Sequence, residues 1–226
     1  VGVLAGRYGA LRFCGAGLVV MMLGGALGAL AQWEGLLLFS RILEGGGFIA
    51  VAVSAPALII AACAPRERNL TLGLWASYLP IGSGLTIAAS PFLLGSIGWR
   101  GLWVAIVLLT LACAISLWGS RNDYRAAPAT APTLSGILPA LRRFGPWWLA
   151  LAFACYSLMY YALAVWLPTF LVQERGASIT QAALLTALLI GCNACGNLLG
   201  GWLMHRGAPR GHAISLAFAV MALCSC

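Results

Sequence analysis

Lysine is missing from this sequence altogether, and acids and histidines are scarce: five Asp and Glu and two His in 226 residues. Each shortage closes off some chemistry. A phosphate-binding loop of the form G-x-x-x-x-G-K-S/T needs a lysine, so ATP-driven work within this chain is excluded. Hydrolysis at membrane depth needs an acidic pair, or a serine with a histidine. Glu44 is the one acid inside an apolar span, and His205 and His212 fall in a connecting segment. No enzymatic activity is expected.

Charge of any sign is rare. Only 8% of residues are charged while 62% are hydrophobic, against about 25% charged in a water-soluble domain. The mean hydropathy is +0.96. Charge-free runs cover 13–32, 45–65, 69–99, 101–120, 144–173 and 176–204. A helix needs roughly 20 apolar residues to cross a bilayer, and backbone groups in lipid must be satisfied within the segment. The sequence therefore predicts an all-α membrane protein. Its spans are placed near 13–32, 36–62, 70–97, 101–118, 147–172 and 179–204, with a seventh beginning at about 213.

The net charge of +8 comes from thirteen arginines, and their distribution sets topology rather than a nucleic-acid surface. Alternate connections hold Arg7, Arg12, Arg66, Arg68, Arg121, Arg125, Arg142, Arg143, Arg206 and Arg210; the opposite ones hold only Arg100 and Arg175. By the positive-inside rule the first set faces the cytoplasm. Eight cysteines lie mostly in apolar helices, where they pack as small hydrophobes. Cys192-Asn-Ala-Cys195 has metal-ligand spacing without a second ligand pair, so neither metal nor cofactor is expected. Asn69-Leu-Thr71 matches a glycosylation sequon on the predicted cytoplasmic side, where it is chance. The Arg-only, Ala- and Gly-rich composition points to a bacterial cytoplasmic (inner) membrane.

Two short stretches nearly repeat. Gly2-Val-Leu-Ala-Gly-Arg7-Tyr-Gly9-Ala-Leu-Arg12 and Gly201-Trp-Leu-Met-His-Arg206-Gly-Ala-Pro-Arg210 both read G-x-x-x-x-R-G-A-x-R once Tyr8 is gapped out. Six spans lie between them, which implies a six-helix repeat of the kind found in duplicated transporters. The Ala-Pro-rich stretch Ala126–Thr133 reads as a linker. With six helices per repeat, two spans are missing before Val1, and the chain is expected to be an internal piece of a twelve-helix protein.

The first stretch resembles the loop signature of the major facilitator superfamily, G-x-x-x-D-R/K-x-G-R/K-R/K, between helices two and three. Gly2, Arg7, Gly9 and Arg12 follow it, and Gly201, Arg206 and Arg210 stand where the family carries a weaker copy. Arg41-Ile-Leu-Glu-Gly45 is similar to the R-x-x-x-G signature of helix four. Arg66-Glu-Arg68 and Gly98-Trp-Arg100-Gly also fit. The resemblance implies a two-bundle transporter. Residues 1–118 would run from the end of helix two to helix six, 119–146 would be a cytoplasmic linker, and 147–226 would be helices seven, eight and the start of nine. It further implies a monomer acting by alternating access on a small solute. The solute would be an organic or inorganic anion taken up with protons, with a multidrug or metabolite exporter as the alternative. The exporter signature G-x-x-x-G-P-x-x-G-G is absent from helix five, which favours uptake. Tyr161–Leu171 is similar to helix seven of the cyanate and nitroimidazole branch. The signature's acid is Gly6 here, with His205 opposite it in the second copy, so the cytoplasmic gate must close in another way.

Candidate residues follow from polarity at membrane depth. Arg41 is costly inside a span unless it is functional or paired. Glu44, three residues on, shares its helical face; the alternatives are substrate or proton coupling, snorkelling to the interface and a structural pair. Asn193 and Asn197 share a face, either as a cavity lining or as helix–helix glue. Tyr78, Tyr156 and Tyr160 complete the set, because buried phenols need partners. Gly24/Gly28 and Gly196/Gly200 are expected to be packing surfaces, and Pro168 is expected to loosen the outer end of its helix.

Overall fold

A computed structural model describes residues 6, 8–124, 139 and 142–224. These form α1 (Ala10–Ala29), α2 (Glu34–Ala62), a 3-10 turn (Pro65–Glu67), α3 (Arg68–Ala76), α4 (Tyr78–Gly119), α5 (Phe144–Gln173), α6 (Ile179–His205) and α7 (Arg210–Cys224), with no strand among the described residues. The linker stretch 126–133 lies outside them.

Five helical runs are long and apolar enough to cross a membrane: Ala10–Ala29, Glu34–Ala62, Pro65–Gly119, Phe144–Gln173 and Ile179–His205. The third holds 55 residues, about 80 Å of helix and far more than one crossing requires. It turns at Gly98, whose φ of 65° and ψ of 177° are not helical. A residue with a Cβ is strained at such a φ. Within this run, α4 is therefore two limbs, 78–97 and 99–119. Where a loop between 97 and 101 was expected, one glycine makes the corner. Arg100 ties it down by donating from Nη2 to the Ala31 carbonyl at 3.0 Å while stacking 4.2 Å over Trp99. The chain is an integral multi-pass membrane protein, and its exposed apolar side chains, such as Leu30, Ile42 and Leu158, form a surface that water would not tolerate.

Two groups of helices pack through small residues. In the first, α1 lies along α2 and against the second limb of α4. A Cβ on Gly17 would meet the Gly47 carbonyl, one on Gly24 the backbone of Ser40 and Glu44, and one on Gly28 the side chains of Arg41 and Trp103. The expectation for Gly24 and Gly28 is met. In the second, α6 lies against α3, the first limb of α4 and α5. Here the expectation is corrected. A Cβ on Gly196 or Gly200 would meet nothing within 4 Å, while one on Gly201 would come 2.9 Å from the Gly73 Cα. The face of α6 that is turned inward runs Ile190, Ala194, Gly201 at helical spacing, and Gly200 falls one step off it.

Three buried hydroxyls are satisfied within their own helices. Ser40 donates to the Leu37 carbonyl at 2.6 Å, Ser54 to Ala50 at 2.6 Å and Thr186 to Ala182 at 2.8 Å. Ser178 and Gln181 form a reciprocal capping box that starts α6. His205 is the last residue of α6 and His212 lies in α7 rather than in a loop.

Candidate functional site

The span expected at 70–97 is interrupted at Ser77 by its own sequence. Pro80 has no N–H, so the carbonyl four residues earlier, on Ala76, loses its helical donor. That carbonyl is taken by another helix: Asn197 Nδ2 on α6 donates to Ala76 O at 3.0 Å. Ser77, fully buried, donates to Gly73 O at 3.0 Å and to Ala194 O of α6 at 3.3 Å. From Asn197 the polar chain continues to Asn193 Oδ1 at 3.4 Å, and Asn193 Nδ2 donates to Tyr156 Oη on α5 at 2.9 Å. One turn further, Tyr160 Oη meets Ser83 Oγ of α4 at 2.8 Å.

These bonds join segments 37 to 121 residues apart in sequence. The structure thus brings Tyr156, Tyr160, Asn193 and Asn197 to one junction of α3, α4, α5 and α6. Tyr78 lies on the neighbouring flank, its ring 5.4 Å from Trp75 and 6.2 Å from Phe48 of α2. The groups at the junction are amides, phenols and hydroxyls. They donate and accept hydrogen bonds, and none of them is an activated nucleophile.

The junction is closed towards the arginine-rich ends of α3 and α6 and open at the other. Below it, Gly73 and Gly201 meet backbone to backbone, Asn69 Nδ2 donates to Met204 O at 3.2 Å, and His205 Nδ1 contacts Arg66 O at 3.0 Å. Above it, a cavity of about 430 Å³ opens between the first limb of α4, the end of α5 and the start of α6, with Ser90, Pro91, Pro168, Thr169 and Gln173 in its wall. Pro91 frees the Ile87 carbonyl, and Ser90 Oγ takes it at 2.9 Å. α5 runs as helix through Pro168 to Gln173.

Arg41 and Glu44 are not part of this junction. They pair with each other on α2. The Arg41 guanidinium lies 4.2 Å from the Trp103 ring, its Nε donates to Ser40 Oγ at 3.3 Å, and its Nη2 is buried without a hydrogen-bond partner. Of the gate-motif residues, Gly2 and Arg7 lie outside the described residues, as does the side chain of Arg210. Gly9 precedes α1 with φ 87°, Arg12 is exposed in its first turn, and Arg206 stacks 4.5 Å over Trp202. Gly207, the repeat partner of Gly9, has φ 89°. Both copies therefore carry a glycine of positive φ at the matching position.

Sequence reasoning missed Asn69, Gly73, Ser77 and Ser83. The position of Pro80, four residues after Ala76, was the available signal for an orphaned carbonyl; nothing in the sequence says which helix answers it.

Comparison with known proteins agrees with this architecture. A gallate transporter of Pseudomonas putida is 28% identical over 81% of this chain and 48% of its own length. A 3-(3-hydroxy-phenyl)propionate transporter of Escherichia coli K12 is 30% identical over 92% and 52%, and a hexuronate transporter of Bacillus subtilis is 26% identical over 83% and 47%. The chain spans about half the length of the curated relatives it matches. No solved structure matches it. The sequence profile of the Major Facilitator Superfamily covers residues 1–226, and the chain belongs to that family.

Proposed function

We propose that this chain forms part of a secondary transporter that takes up a small organic anion together with protons, by rocking residues 1–118 against 147–226 across a linker at 119–146. The observation that carries the reading is the chain of exchangeable hydrogen bonds from Ala76 O through Asn197 and Asn193 to Tyr156. It crosses between the two parts, and a cavity lies further along the same helices. Neutral amides and phenols that bond each other in the resting state can bond a carboxylate or hydroxyl of a solute instead, so the exchange has little enthalpic cost. Relatives named for gallate, hydroxyphenylpropionate and hexuronate support an organic acid as the cargo. Tyr78, Tyr156, Tyr160, Asn193 and Asn197 form the proposed path.

The Arg41–Glu44 pair is the proposed coupling element. Protonation of Glu44 would release Arg41 from its carboxylate and leave the guanidinium held by Trp103 and Ser40 alone. The arginine-rich loops face the cytoplasm of a bacterial inner membrane in this reading, and the protein works as a monomer.

The test is uptake of labelled hydroxybenzoates and hexuronates by the complete polypeptide in proteoliposomes with an imposed pH gradient. Uptake that follows the gradient, loses it in Glu44→Gln and shows a raised KM in Tyr156→Phe supports the reading. Gradient-driven efflux of hydrophobic cations with no response to acids would replace it with the exporter.

A further inference from the structure

We propose that the arginine-rich corner between α1 and the second limb of α4 is a binding site for an anionic phospholipid. It would hold the phosphodiester between Arg12 and Arg121 and one acyl chain in the groove between the two helices. The site is separate from the polar junction, shares Gly9 and Arg12 with the gate-loop stretch, and is tested by stability and not by transport.

Two contiguous cavities share Leu11, Arg12 and Arg121. One, of about 370 Å³, lies at the helix ends, where Tyr8, Gly9 and Tyr124 complete its wall. The other, of about 490 Å³, runs from the same two arginines along the helices between Gly15, Ala16, Val19, Ala114 and Leu117. The first wall holds two tyrosines and the guanidinium groups, and the second is apolar, with the Trp118 ring and the two arginines at its mouth. The groove is open beside Gly15, where an added Cβ would meet nothing within 4 Å.

Charge fits the same ligand. Among the described residues the single ion pair is Arg41–Glu44, so neither arginine at the corner is neutralised by a carboxylate. Asp123, in the turn after α4, makes a backbone hydrogen bond to Ser120 at 3.0 Å and no ion pair. Arg121 is held 5.2 Å from the ring of Trp118, which is 71% exposed. A tryptophan at the end of a span beside arginine marks the lipid–water boundary, which is the depth of a phosphodiester. Basic pockets between helices at that depth take anionic headgroups. A soluble phosphate would account for the first cavity alone; the apolar groove that continues from the same guanidinium pair requires a hydrocarbon tail.

The measurement is the thermal midpoint of the complete polypeptide in uncharged detergent, with added phosphatidylglycerol, phosphatidylcholine of the same chains, or soluble glycerol phosphate. Phosphatidylglycerol is expected to raise Tm by a few degrees and the other two to leave it unchanged, since only a ligand that prefers the folded state stabilises it. The rise should vanish in Arg12→Gln/Arg121→Gln, persist in Arg12→Lys/Arg121→Lys, and vanish in Gly15→Leu, which fills the groove and keeps both charges. Equal shifts from the two lipids, or a rise that survives in the double glutamine variant, overturn the site. A rise reproduced by glycerol phosphate, or one untouched by Gly15→Leu, overturns the lipid by showing that surface charge alone is recognised.

Discussion

At the scale of single residues, the decisive group is a carbonyl that its own helix cannot satisfy. Pro80 deprives Ala76 of a donor and Asn197 supplies one from a different helix. An unmade hydrogen bond in a membrane interior is costly, so the two residues should be energetically coupled. Asn197→Ala alone is expected to destabilise the protein by about 1 kcal/mol, within the range measured for interhelical hydrogen bonds. In a Pro80→Ala background, where residue 80 regains its N–H, the same change should cost less. Thermal unfolding of the four proteins in one detergent measures the difference, and additive effects would mean that Asn197 does not serve this carbonyl. The spacing of Asn193 and Asn197 already put both on one face of one helix. Their bonds to Tyr156 and Ala76 were illegible, because period and polarity say where a face is and not what it meets. Arg41 illustrates the same limit: its pairing with Glu44 was readable from the i, i+3 spacing, whereas its position against Trp103 and Gly28, away from Tyr156, was not.

At the scale of elements, run length and charge were enough to place the helices within a few residues, because lipid demands long uncharged helical stretches. What charge-free runs do not carry is where such a stretch turns. Ser77 lies inside apolar sequence, and only its backbone geometry reveals the break there, whereas the corner at Gly98 falls where Arg100 already divides two runs. The packing surface expected at Gly196 and Gly200 lies at Gly201 against Gly73 for a related reason. A G-x-x-x-G pattern is good at finding small residues but does not fix which of two adjacent faces is turned inward. Gly201→Leu should therefore be severe, since its side chain would run into the backbone of Asn69 and Gly73. Overpacking of this kind costs about 1–3 kcal/mol or more. Gly200→Leu should change the thermal midpoint little, because no described residue lies within 4 Å of a Cβ at that position. If both substitutions are tolerated alike, Gly73 and Gly201 do not form a close crossing.

At the scale of the whole molecule, the contacts are distributed unevenly along the junction. From Arg66–His205 to Ser83–Tyr160 the two parts are joined by hydrogen bonds and a glycine crossing, and beyond Ile87 they diverge around a cavity. On the arginine-rich side the two parts are held together by Asn69 and Met204, Gly73 and Gly201, and the carbonyl of Arg66 with His205, which in the proposed mechanism is the closed gate. Alternating access requires that this side open and the cavity close in the other state. A disulfide between Asn69→Cys and Met204→Cys, in a background without the native cysteines, should trap the closed side. Transport would stop, and Thr169→Cys would remain reactive to a membrane-impermeant maleimide added from the cavity side. Reduction should restore both transport and a substrate-dependent fall in labelling. If the cross-linked protein still transported, the α3–α6 contact would be a static seam, and the moving surface would have to lie elsewhere. The cross-link separates the two because it holds one contact shut without touching Tyr156, Asn193 or Asn197, so a loss of transport with the cavity still open reports on motion rather than on binding.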